Sequence, residues 1–129
     1  MERVTGIGGF FFRAQDPTAL ARWYTQHLGI DPVPEDYSTA PWMPAAGPTV
    51  FAPFPADTDY FGHAACQWML NFRVADLDAM VRQLQAVGIR VELDPTRHPN
   101  GRFARLNDPE GNPIELWEPA QPDHANPPR

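Results

Sequence analysis

The sequence predicts an α+β protein made of two tandem βαβββ modules, and three observations carry that reading. The chain resembles itself at an offset of sixty residues, each copy holds a helix opened by an aspartate and closed by a glycine, and the chain finishes in a hairpin whose two faces separate apolar from polar side chains. A length of 129 residues suits one domain with its own core. That domain is expected over residues 1–119, with module one at about 4–58, module two at about 64–119, and a flexible proline-rich tail at 120–129.

The repeat sets "FFRAQDPTALAR" at 11–22 against "NFRVADLDAMVR" at 71–82, matching Phe12 with Phe72, Arg13 with Arg73, Asp16 with Asp76, Ala19 with Ala79 and Arg22 with Arg82. After one deletion Gly29-Ile30 meets Gly88-Ile89. In both copies an alternating strand runs into an aspartate that suits a helix N-cap, followed by Pro17 or Leu77 at the first helical position. Leu20, Trp23, Tyr24 and Leu28 give the first helix an apolar stripe, and Leu77, Met80, Val81, Leu84 and Val87 give one to the second. Gly29 and Gly88 suit left-handed caps. In the second copy the remaining strands are expected at Ile89–Leu93, Arg102–Asn107 and Pro113–Glu118. In the first copy they fall in a proline-rich stretch, with Thr49–Phe54 the clearest candidate.

Strand alternation then sorts the side chains by face. In module two's first strand Trp68, Leu70, Phe72 and Val74 point toward the helix, while Gln67, Met69, Asn71 and Arg73 share the opposite face; in module one Phe10 and Phe12 oppose Gly9, Phe11 and Arg13. With "DPEGN" as the hairpin turn, Leu106 faces Ile114 and Ala104 faces Leu116 on the helix side, and Phe103 faces Trp117 and Arg105 faces Glu115 on the other. Glu115, set between Ile114 and Leu116, therefore has three readings: a partner for Arg105, a ligand contact, or a general base. Arg13 and Arg73 suit an anionic ligand or structural capping. Trp42, Tyr60 and Phe61 suit either a pocket wall or a contact between chains. Trp23 reads as core, and Asn107 and Asn112 as turn residues.

A formal charge of −6 with no run of lysine or arginine leaves no footprint for nucleic acid or an anionic membrane. The start "MERVTGIGGFFFR" has only a short apolar run, and the single Cys66 has no internal partner, so a cytoplasmic protein with a small-molecule or protein partner is expected.

The tandem modules, the closing "DPEGNPIEL" and the segment "DPTALARWYTQHLGI" resemble the vicinal oxygen chelate superfamily, which includes glyoxalase I, bleomycin-resistance proteins and extradiol dioxygenases. The resemblance implies a deeply curved eight-stranded mixed sheet with helices on the convex side, a ligand in the concave groove, and a homodimer. It also implies a metal triad of two histidines and a glutamate. Glu115 holds the glutamate position, but Gly9 and Met69 stand where the histidines belong, and His27, His63, His98 and His124 are not expected on a concave strand face. No metal and no other cofactor is therefore expected. The expected ligand-binding set is Phe11, Gln67, Met69, Asn71, Phe103, Arg105, Glu115 and Trp117, with Glu115 also the candidate catalytic residue. Three functions compete: a metal-independent binder of an organic small molecule, a lyase, isomerase or dioxygenase using Glu115 or an unrecognised metal site, and a protein-interaction module.

Overall fold

The computed structural model describes residues 1–121, so most of the expected tail lies outside the described residues. In chain order it comprises α1 (Pro17–Leu28), β1 (Leu70–Arg73), α2 (Leu77–Ala86), β2 (Glu92–Leu93), β3 (Gly101–Asn107) and β4 (Pro113–Pro119). The strands form one mixed sheet in the order β1-β4-β3-β2, with β1 parallel to β4 and the other pairs antiparallel. The class is α+β.

Both helices start as their sequences dictate. Asp16 and Asp76 each accept the N–H three residues ahead, from Ala19 and Ala79, at 3.0 Å, satisfying one of the orphan donors of a first turn. Gly29 closes α1 in the left-handed conformation at φ 72°, which costs an L side chain more than glycine. The second helix stops one residue earlier than its stripe suggests: Val87 is its cap, exposed, with Gly88 following at φ 84°.

The hairpin adopts the register read from its two faces, pairing Ala104 with Leu116, Leu106 with Ile114, Phe103 with Trp117 and Arg105 with Glu115. Ala104, Leu106, Ile114 and Leu116 are buried in one core with Leu77, Val81, Leu84 and Val91, and α1 adds Leu20 and Tyr24 to the same cluster. Each fully buried leucine or isoleucine contributes about 1.5–3 kcal/mol relative to exposure. A shift of one residue in the hairpin would turn all four hairpin residues outward.

Carboxylates fasten the helices to this hairpin. Glu110, in the turn, accepts the N–H groups of Gln15 and Asp16 at 2.8 and 3.0 Å, and Glu118 at the end of β4 accepts the N–H of Leu77 at 2.9 Å. Asp108 is buried and accepts the Tyr24 hydroxyl at 2.6 Å, the Asn112 side-chain amide at 2.7 Å, and the N–H groups of Glu110 and Asn112 at 2.8 and 3.0 Å. Burial and this bond push the Tyr24 hydroxyl well above the usual tyrosine range.

Module one differs from its expected form. It supplies α1, but no strand is present in it among the described residues, including Thr49–Phe54; four strands are present where eight were expected, and Ile89–Leu93 is reduced to β2. Proline at 48, 53 and 55 removes the backbone donors that a central strand would use there. Phe12 nevertheless packs on the core beside Tyr24 and Trp68, whereas Phe11 is 96% exposed, so the expected alternation in face persists without strand pairing. Arg73 holds the proline-rich stretch by donating to the carbonyls of Ala45 and Pro48 at 2.7 and 2.5 Å and to Thr49 Oγ1 at 3.2 Å.

Candidate functional site

The face of the sheet away from the core carries alternate residues of β1, β3 and β4, and these meet around Glu115. Burial leaves its carboxylate 6% exposed, so each oxygen needs a donor. Asn71, paired with it in register across the parallel β1–β4 ladder, donates from Nδ2 to Oε1 at 2.8 Å. Tyr60, from the segment between the modules, donates its hydroxyl to Oε2. The expected ion pair with Arg105 is not among those of the described residues, although the two are cross-strand neighbours. Instead the Arg105 guanidinium lies over the Tyr60 ring, 4.7 Å from its centre, and donates to the Tyr60 carbonyl and to Met69 Sδ, the latter at 3.4 Å. Burial, followed by the bond to Glu115 and that residue's charge, pushes the Tyr60 hydroxyl up to about 12, against a weaker opposing pull from Arg105.

A cavity of about 570 Å³ opens here, within the range of small-molecule sites. Glu115, Arg105, Tyr60 and Phe103 line it. Phe103 stacks on Trp117 with rings 3° from parallel and centres 6.3 Å apart, and Trp117 is fixed by donating Nε1–H to the Asn100 carbonyl at 2.8 Å. Gly101 allows this close approach: at φ 132° a Cβ would fall 2.2 Å from the Glu118 carbonyl oxygen and 2.8 Å from Trp117 Nε1.

The cavity is also lined by Asp94, absent from the expected site, and by His98, which was not expected on a concave strand face and reaches the cavity from a loop. His98 Nε2 lies 2.8 Å from Asp94 Oδ2, both residues line the cavity, and the imidazole sets its edge toward Phe103 at 5.8 Å between centres. The His98 contact, with the Thr96 N–H, holds the Asp94 carboxyl below the usual range. The four-residue spacing from Asp94 to His98 is the only trace of this pair in the sequence, and it occurs in a proline-containing loop with no periodicity.

The predicted site residues thus divide. Asn71, Met69, Arg105, Phe103 and Glu115 come together, and Trp117 stacks with Phe103 across the hairpin. Phe11 and Gln67 are exposed and do not line the cavity. Of the aromatic loop residues, Tyr60 is at the site, while Phe61 contacts Phe54 at 5.1 Å. Arg73 is engaged with backbone carbonyls.

As for a metal, Gly9 offers no side chain, the Met69 sulfur faces the Arg105 guanidinium, and both Glu115 oxygens already accept hydrogen bonds. Among the described residues no three histidine, cysteine, aspartate or glutamate side chains are grouped to hold an ion. This donor set does not fit the superfamily's metal triad.

An α+β fold of this kind, with a carboxylate from the closing strand lining an open cavity, places the protein in the vicinal oxygen chelate superfamily. More narrowly, the chain belongs to the Glyoxalase-like domain family, whose model matches residues 9–117. Its fold resembles that of TnmS3, an antibiotic binding protein from Streptomyces sp. CB03234, at 26% identity and a TM-score of 0.60, covering 93% of this chain and all of that one. Lactoylglutathione lyase from Agrobacterium tumefaciens shares the fold at 19% identity and a TM-score of 0.56, over 90% of this chain and 95% of that one. The uncharacterized protein YaeR of Escherichia coli (strain K12) is 36% identical over 69 residues, 51% of this chain; the match spans about half of that relative's length, 52%. No helix among the described residues is long and apolar enough to cross a membrane.

Proposed function

We propose that the protein binds an organic small molecule in the cavity over Glu115 without a metal ion. The observation that carries this reading is the donor set at Glu115: hydrogen-bond donors, not open coordination positions, face its oxygens. Phe103 offers a flat apolar face held by Trp117, and Arg105 and Glu115, the latter oriented by Asn71, offer a few polar groups that fix orientation, the usual balance of a small-molecule site. The likeness to an antibiotic binding protein favours a ligand of antibiotic size. Calorimetry with a panel of aromatic antibiotics in the presence of EDTA tests the reading. Binding of at least one compound, weakened about tenfold by Phe103→Ala, is expected, consistent with the loss of one aromatic contact of about 1.4 kcal/mol. A stoichiometric first-row metal found by elemental analysis, and required for binding, overturns it.

The same reading takes residues 1–119 as one cytoplasmic domain acting as a homodimer. Its support is the exposure of Val4, Ile7, Phe11, Val50 and Phe51 in module one, together with β1 standing at an edge of the sheet. Pairing of those segments across two chains would complete an eight-stranded sheet.

A second reading, an enzyme working by proton abstraction, is favoured by the Asp94–His98 pair, which lines the same cavity as Glu115. In that case His98→Gln would abolish turnover of a bound compound while leaving its affinity within about threefold, a difference of about 0.7 kcal/mol.

A further inference from the structure

Tyr60 lines the cavity and holds the Glu115 carboxylate in a way that describes what could take its place. The residue comes from a segment with no helix or strand, it is 39% exposed, and its ring is held by contacts with Arg105 and with Phe54, whose ring lies 5.5 Å away and 24° from parallel. Its hydroxyl satisfies one oxygen of a buried carboxylate. The other oxygen is held by Asn71 from β1, so Glu115 keeps its orientation when the tyrosine side chain swings away. What remains then is a carboxylate oxygen lacking a donor, beneath a guanidinium whose face suits an aromatic ring.

We infer that the Tyr60 side chain holds the ligand's own place: Glu115 and Arg105 take the hydroxyl and ring of a neutral hydroxyarene, which binds by displacing Tyr60. This rests on the proposed small-molecule binding. An aromatic ether of the same shape fills the space but leaves Glu115 Oε2 unpaired in a buried setting, which is the more costly arrangement. A phenolate is rejected, since its charge meets that of Glu115; the raised pKa of Tyr60 itself reports that the neutral phenol is the favoured form here. The cavity measures about 570 Å³ and is lined by Phe103 as well, so a fused bicyclic compound fills it better than phenol.

The test is isothermal titration calorimetry of 2-naphthol and 2-methoxynaphthalene against the wild-type chain and Tyr60→Phe. The hydroxyl compound is expected to bind at least about tenfold more tightly than its ether, as a hydrogen bond to a charged acceptor implies. Because Tyr60→Phe removes the competing hydroxyl from a residue that is 39% exposed overall, it is expected to tighten 2-naphthol about tenfold without unfolding the protein. Equal affinities for the two compounds, or weaker 2-naphthol binding to Tyr60→Phe, overturn the inference. If the aromatic antibiotics bind in the same buffer while 2-naphthol shows no preference over its ether, the hydroxyarene inference fails and the binding function stands; if no compound binds, the binding function itself fails.

Discussion

Replacing Asp108 by alanine removes the fastening between α1 and the closing hairpin, and the size of the effect follows from its partners. Four hydrogen bonds end on this carboxylate, which is 4% exposed. Two come from backbone N–H groups of an exposed turn, where water can substitute at small cost. The Tyr24 hydroxyl bond is buried and the Asn112 amide bond part-buried, and bonds from such groups to a charged acceptor contribute about 1.5–3 kcal/mol each. Desolvation of the carboxylate offsets part of this sum. The expected net loss is about 3 kcal/mol for Asp108→Ala, measured as the change in urea midpoint at constant slope. Tyr24→Phe removes one bond and leaves Asp108 three donors, so it should cost about 1–2 kcal/mol. A loss below about 1 kcal/mol for Asp108→Ala, or equal losses for the two variants, would refute the view of Asp108 as a shared anchor.

Other perturbations read the site and its supports. Difference ultraviolet titration of wild type against Tyr60→Phe should place the Tyr60 midpoint near 12, and Glu115→Gln should bring it back toward 10.0. Since the folded value is raised, the stabilising contact with Glu115 is fully present below the unfolded value of about 10 and is lost as pH rises through the folded one. Gly101→Ala places a Cβ against the Glu118 carbonyl at a positive φ and should destabilise the hairpin by about 2 kcal/mol or more, with a blue or red shift of Trp117 emission as the indole repositions. Arg73→Met removes the bonds to residues 45, 48 and 49 and should speed proteolysis within 41–55 several-fold while leaving the urea midpoint within about 1 kcal/mol.

The hairpin was legible in the sequence because two constraints agreed on it: the "DPEGN" turn and a pattern in which only one register buries Ala104, Leu106, Ile114 and Leu116 together. The helix starts were legible for a local reason, since Asp16 and Asp76 act on N–H groups three residues away. The company of Glu115 was legible only in part. Asn71 shares its face by strand alternation, but Tyr60 lies 55 residues upstream in a segment without periodicity, and no local rule brings it to the carboxylate. Sequence reasoning therefore supplied Arg105, the cross-strand neighbour, where the structure engages that arginine with the ring and carbonyl of Tyr60. Asp94 was missed, and His98 set aside as a histidine off the concave strands, for a similar cause, a loop path that brings the imidazole against Phe103. Module one was legible in its capping aspartate and helix, which follow the repeat; its expected strands, in a stretch where proline at 48, 53 and 55 carries no backbone donor, are not formed among the described residues.

The central claim is that the cavity over Glu115 takes an organic ligand through its own side chains. Two-dimensional NMR of the isotope-labelled protein, titrated with aromatic antibiotics and 2-naphthol in excess EDTA, tests it most directly. The account predicts saturable shifts centred on Asn71, Phe103, Arg105, Glu115 and the Trp117 indole N–H. Shifts at those residues that arise only after a divalent metal is restored would contradict it.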